Sequence, residues 1–256
     1  MKIRFIGTGS GKTSLHRFHS SIFFSSDNYN LLVDTGDGIS KALLSQKINL
    51  HLINGILITH LHPDHFSGLA ALIIQMKLIS RTNELDIFIH QSLVEAVKRY
   101  IYNSYLFNEK MDFDINYRVF NVDEVVAIDN NLTFLSRQNL HLDSYKKYDY
   151  LNKLSFSCIS LLLKSNEFTV FYTGDIGAKS DLYLFKENKI DIMISEISHI
   201  NFEDLFQAFE AQNIETLYLT HISDEDESKL EKFYSSLNET KKQKIISAYD
   251  GLTIDL

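Results

Sequence analysis

The segment Thr59-His60-Leu61-His62-Pro63-Asp64-His65 constrains this chain more than any other stretch. Three histidines and an aspartate fall between positions 60 and 65, a clustering that marks metal sites more than cores or ordinary surfaces. Gly55-Ile56-Leu57-Ile58-Thr59 before it is short, apolar and β-branched, and so reads as a buried strand. Ser67-Gly68-Leu69 and the apolar stretch from Ala70 to Leu78 read as a helix. The motif thus sits where a strand hands over to a helix. Side chains two apart on an extended segment point the same way, so His60 and His62 can close on one cation. Pro63 has a fixed φ and no N–H, which keeps His62 extended and stops the strand. Asp64 and His65 leave in another direction and can serve a second cation. Imidazole with carboxylate suits zinc, at ligand distances of about 2.0–2.2 Å.

Bulk properties narrow the rest. A length of 256 residues with 45% hydrophobic content is enough for one sizeable core, so a single domain over residues 1–256 is expected. The formal net charge of −8 disfavours a surface built to grip a nucleic-acid backbone, though a sum hides local patches. The single cysteine, Cys158, excludes an internal disulfide framework and reads as a small core residue of a cytoplasmic protein. Lys2, Arg4 and Gly7 break up any signal-peptide pattern at the start. No apolar run approaches the roughly 20 residues of a membrane span.

Read in order, the chain repeats one device: an apolar strand ends in a potential ligand. Lys2 to Ile6 is a strand closed by Gly7-Thr8-Gly9-Ser10-Gly11, a tight turn without the spacing of a nucleotide-binding loop. Ser21–Phe24 and Asn30–Asp34 form a hairpin, and Asp34, at the end of a buried strand, needs a partner. A metal-ligating histidine is the candidate, because such rings usually give their second N–H to a carboxylate. His141 follows the strand around Leu132–Leu135; Asp175 ends Phe168–Tyr172; Glu196 ends Asp191–Ser195 and leads to Ser198-His199; His221 ends Glu215–Thr220. Leu154 to Lys164 reads as a strand, and Tyr145 to Tyr150 as a polar, aromatic loop. The aromatic stretch from Tyr100 to Phe113 is either a packed helix face or a lid. His16, His19, His51 and His90 are read as surface or packing residues, with His16 and His19 able to border a pocket.

Taken together, His60-Leu61-His62-Pro63-Asp64-His65, the isolated His141, Thr173-Gly174-Asp175 and Leu219-Thr220-His221 resemble the metallo-β-lactamase superfamily. Gly7-Thr8-Gly9, Leu32 to Gly38, Asp64 to Leu69 and Ser195-Glu196 with Ser198-His199 look most like its ribonuclease Z and phosphodiesterase branch. The resemblance implies an α/β protein, an αββα four-layer sandwich of two mixed β-sheets with helices outside. It implies that His60, His62 and His141 hold a first zinc, that Asp64, His65 and His221 hold a second, and that Asp175 bridges them. Mn2+ or Fe2+ in place of Zn2+ stays open. It gives His199 a contact with the scissile phosphate and makes Asp64 the candidate proton acceptor.

The expected activity is therefore that of a metal-dependent hydrolase with a dinuclear zinc centre and a bridging hydroxide, most of all a phosphodiesterase of ribonuclease Z-like type. Its substrate would be RNA or a small phosphodiester. The glycine- and proline-rich arm with which ribonuclease Z grips tRNA is missing, the aromatic stretch Tyr100 to Phe113 being the region that corresponds to it, which together with the acidic charge keeps a second reading open: a small-molecule hydrolase acting on a cyclic nucleotide, lactone or thioester at the same site. An iron redox enzyme is disfavoured because His62 stands where the diiron relatives carry glutamate, and a non-catalytic binding module because all seven ligands are present. A homodimer is admitted, a membrane partner is not.

Overall fold

A computed structural model describes residues 1–256. It divides into two compact units, Met1–Thr8 with Leu15–Asn121 and Asp250–Leu256, and Gly9–Ser14 with Val122–Tyr249. The first unit contains β1 (Lys2–Gly7), β2 (Ser21–Ser25), β3 (Asn30–Val33), helix α1 (Ile39–Ser45), β4 (Gly55–Leu57), α2 (Pro63–Phe66), α3 (Leu69–Leu78), β5 (Leu85–His90), α4 (Val94–Asn103) and β6 (Ile115–Phe120). The second contains β7 (Val125–Ala127), β8 (Thr133–Gln138), β9 (Ile159–Lys164), β10 (Thr169–Tyr172), β11 (Ile192–Glu196), α5 (Phe202–Ala211), β12 (Thr216–Thr220), α6 (Asp224–Ser236), α7 (Glu239–Lys242) and β13 (Ile245–Ser247). The chain returns to the first unit with β14 (Thr253–Asp255).

Each unit is built on one seven-stranded mixed sheet, ordered β14-β1-β2-β3-β4-β5-β6 in the first and β13-β12-β11-β10-β9-β8-β7 in the second. In the first sheet the pairs from β14 to β3 are antiparallel and those from β3 to β6 parallel. The second runs the same way, with parallel pairs from β13 to β10 and antiparallel pairs from β10 to β7. The central parallel strands β4 and β11 are buried throughout, as cover on both faces requires, and a crossover carrying a helix links β4 to β5 and β11 to β12.

Apolar spacing dictates the packing. In the first unit Ile56, Ile58, Leu72, Ile73, Met76 and Val97 join one buried cluster of sheet and helix side chains. In the second, Phe171, Met193, Leu205, Phe209 and Leu217 do the same. Each such side chain contributes about 1.5–3 kcal/mol on burial. Helix α5 starts at Asn201, whose side chain accepts the Asp204 N–H at 2.8 Å, and α6 at Ser223, whose Oγ accepts the Asp226 N–H at 3.2 Å. These caps satisfy donors that a helix start leaves unpaired.

The sequence-based strand over 154–164 is shorter in the structure. Pairing begins at Ile159, opposite Gln138; one further bond, from the Asn139 N–H to the Cys158 carbonyl at 2.9 Å, precedes it before the two segments part. The segment read as a loop after His141 contains a 3₁₀ turn, Asp143–Tyr148. Helix α4 covers Val94–Asn103, so the aromatic helix ends before Phe107.

Candidate metal centre

In the first unit, β3 and β4 run parallel and end side by side. Asp34 follows β3 in the left-handed region, φ 64°, a conformation that costs a residue with a side chain and that functional sites tolerate. The turn places its carboxylate against the end of β4. Asp34 is wholly buried and accepts the Thr59 N–H at 2.8 Å, the Thr59 hydroxyl at 2.8 Å and His65 Nδ1 at 2.8 Å. Burial pushes the Asp34 carboxyl above its ordinary range, while His65 and Thr59 pull the other way. The partner expected for Asp34 from the sequence is thus His65. With Nδ1 donating to Asp34, His65 presents Nε2 as the nitrogen a cation could take, and that atom lies 3.4 Å from Asp64 Oδ2.

His62 keeps the extended backbone expected before proline, φ −65° and ψ 144°, and Pro63 opens α2. The His60 ring lies 4.8 Å from that of His62 and 4.3 Å from that of His65, centre to centre. Glycine permits this packing: a Cβ on Gly36 would fall 2.0 Å from the Asp64 carbonyl oxygen, and one on Gly68 2.3 Å from the Gly36 oxygen. Tyr100, on α4, packs its ring 4.7 Å from Phe66 and donates its hydroxyl to the Ser67 carbonyl. Part of the aromatic stretch is therefore a packed face, whereas Tyr102 and Tyr105 are exposed.

In the second unit, His141 leaves the end of β8 and Asp175 the end of β10. Asn139, wholly buried, donates to the Asp175 carbonyl at 2.9 Å and accepts the His141 N–H at 3.2 Å. One oxygen of Asp181 accepts three N–H groups, from Leu140 at 3.0 Å, Gly177 at 2.9 Å and Ala178 at 3.2 Å. The two ligand loops press together so closely that a Cβ on Gly177 would lie 2.3 Å from the Leu140 carbonyl. Asp175 turns one oxygen to His141 Nε2 at 3.5 Å and the other to His221 Nε2 at 3.4 Å. The carboxylate thus lies between two imidazoles, one oxygen toward each. His221 leaves β12 with φ 55°, as Asp34 leaves β3.

Glu196, buried at the end of β11, accepts the backbone N–H of Ser198 at 2.6 Å and of His199 at 2.9 Å, and faces His199 Nδ1 at 3.1 Å. That bond orients His199 so that Nε2 is its outward nitrogen. The His199 ring stands 4.8 Å from His141 and 5.6 Å from His221.

The structure thus brings His60, His62, Asp64 and His65 together in one unit, and His141, Asp175, His199 and His221 in the other. Within the first, the donor atoms of His60 and His62, and of Asp64 and His65, come within 4.8 Å of each other; within the second, those of His141 and Asp175, and of Asp175 and His221, do so. Buried imidazole nitrogens and carboxylate oxygens are the donors zinc takes, so the residues present fit the metal. Sequence reading did not single out Asn139 or Asp181. Neither lies in a local pattern, and only their buried bonds to ligand loops identify them. His90 caps the 3₁₀ turn leading into α4 by accepting the Ser92 N–H at 3.3 Å, and His51 offers its carbonyl to Arg81 at 3.3 Å. Both are structural, as expected.

The family model described as "Anti-Pycsar protein Apyc1" matches residues 1–245. The protein of that name from Bacillus phage BSP38 is 35% identical over 96 residues, 38% of this chain and 38% of that protein. The chain therefore aligns with well under two thirds of that relative's length. Human tRNase Z, short form, superposes with a TM-score of 0.74 at 18% identity, covering 100% of this chain and 99% of that one. A metallo-β-lactamase fold protein from Bacillus subtilis gives 0.74 at 17% identity, with 99% of each chain covered. Fold and site together define a protein of the metallo-β-lactamase fold, similar to ribonuclease Z, as its motifs imply. Within that class, the chain belongs to the Anti-Pycsar protein Apyc1 family.

Proposed function

We propose that the chain is a zinc-dependent phosphodiesterase that opens a small cyclic nucleotide. His60, His62 and His141 would hold one cation, Asp64, His65 and His221 the other, and Asp175 would bridge them. The observation that carries this reading is Asp175, whose two oxygens each face a different imidazole. The supply of equivalent donors on Thr59–His65, tied down by Asp34, supports it. Between the two substrate readings, family membership over residues 1–245 favours a cyclic nucleotide, since the family's name fits a cyclic-nucleotide degrader. The acidic net charge of −8 points the same way, away from a long RNA.

A bound cation pair supplies Lewis acidity, bringing water to a pKa near 7 and offsetting charge that builds on the phosphoryl oxygens. The chain's own groups do the rest. Asp64, buried beside His65, accepts the proton of the attacking water. His199, held through Nδ1 by Glu196, donates from Nε2 to the phosphoryl or leaving oxygen, where fixed donors contribute most. Wild type and Asp64→Asn, both loaded with zinc, are to be compared on 3′,5′-cyclic CMP, bis-p-nitrophenyl phosphate, a lactone and a tRNA precursor with a 3′ trailer. The cyclic nucleotide should turn over fastest, and the variant should lose at least 10²-fold in kcat while keeping the fold and much of its metal. Faster cleavage of the tRNA precursor, or an undiminished variant, would overturn the assignment.

A further inference from the structure

We infer that the exposed segment 143–153, directly after His141, is the wall that holds the nucleobase of the substrate, with Tyr148 as its stacking platform. The inference rests on the cyclic-nucleotide reading and names the part of the substrate that this segment grips.

The segment is rooted on a ligand loop. The Asp143 N–H bonds the Leu140 carbonyl and the Tyr145 N–H bonds the Leu142 carbonyl, both at 3.1 Å, so a 3₁₀ turn starts one residue beyond His141. Such a turn repeats every three residues, which puts Tyr145 and Tyr148 on one face. At about 2.0 Å of rise per residue, the two tyrosines stand roughly 8 and 14 Å along the backbone from His141.

The composition is not that of a plain turn. Surface turns favour glycine, asparagine, aspartate and serine. Here Tyr145 is 47% exposed, Tyr148 61% and Tyr150 85%. Lysine is interleaved with them: Lys146 is paired with Asp143 at 2.6 Å, and Lys147 and Lys153 stand against Asp149, on a chain whose net charge is −8. Asp149 is engaged by the Leu154 N–H at 2.8 Å, and the Lys147 ammonium sits 4.9 Å from the Tyr148 ring centre. Aromatic faces with adjacent ammonium groups are what a base with an attached phosphate requires, the ring stacking and the anion meeting the cation.

The test exploits the absence of tryptophan from the chain. Tyr148→Trp creates a single fluorescent reporter, and the zinc-loaded variant is titrated with CMP, ribose 5-phosphate and inorganic phosphate. CMP should quench saturably, at a concentration about 5- to 150-fold below that of the base-free ligand, as one base stacked on one aromatic implies. Tyr148→Ala should raise KM for cyclic CMP by a similar factor and leave kcat and the melting temperature unchanged, while Tyr148→Phe behaves as wild type. Equal quenching by CMP and ribose 5-phosphate overturns the inference. So does fluorescence that shifts with protein concentration alone, which would make the segment an interface between copies. Base-dependent quenching in a protein that hydrolyses no cyclic nucleotide would refute the proposed activity and leave the nucleobase wall standing.

Discussion

Asp181→Asn isolates how the second unit holds its ligands. The carboxylate touches no ligand side chain. A single oxygen of it accepts N–H groups from Leu140, next to His141, and from Gly177 and Ala178, just beyond Asp175. Bonds to a charged acceptor contribute about 1.5–3 kcal/mol each and neutral ones about 1. An amide oxygen has only two lone pairs for three donors, so three charge-assisted bonds give way to two neutral ones and the loss comes to about 2.5–7 kcal/mol. For a chain of this size each kcal/mol moves the melting temperature by roughly 2–4 °C, which puts the drop for the metal-free protein at roughly 5–28 °C. If the same bonds set the spacing of His141 and Asp175, zinc affinity should also fall, by about 10–100-fold, as for other groups that orient ligands. Differential scanning fluorimetry with and without chelator, and competition for zinc against a chromogenic chelator, measure the two effects separately. A lower melting temperature with unchanged affinity would reduce Asp181 to a staple of the fold and refute the positioning role.

Other perturbations probe separate parts. Gly36→Ala forces a methyl group to within 2.0 Å of the Asp64 carbonyl oxygen; it should destabilise by about 1–3 kcal/mol and, by displacing Asp64, cost roughly 10²-fold in kcat, read by urea melts and steady-state rates. Arg81, wholly buried, donates to the carbonyls of Asn83, Leu50, His51 and Glu84. Arg81→Met should therefore cost about 3 kcal/mol or more in urea unfolding while zinc content holds, and a loss of zinc would show the two to be linked. His199→Ala should raise the barrier by about 2–4 kcal/mol with both metals retained; a variant that instead loses metal would make His199 structural.

How much was legible in advance depended on distance along the chain. His60, His62, Asp64 and His65 are adjacent, and the period-two geometry of a strand followed by Pro63 is enough to pair them. Asp34, Asp175, Glu196 and His221 were visible because a polar residue at the end of a buried run must find a partner. The extent of β9 was not, because strand length is set by the neighbour it pairs with, and β8 stops at Gln138. Nor were Asn139 and Asp181, whose side chains look like ordinary loop residues until their partners are seen.

Ligand chemistry, its order along the chain and the alternation of strand and helix were thus determined by the amino-acid sequence alone, since each depends on neighbours a few positions away. Which histidine Asp34 holds, and that Asn139 and Asp181 brace the loops of His141 and Asp175, was decided only by the tertiary structure. Asp34 reaches His65 across 31 positions, Asn139 reaches Asp175 across 36 and Asp181 reaches Leu140 across 41. Bonds of that span depend on which strands lie side by side, and no local pattern records that.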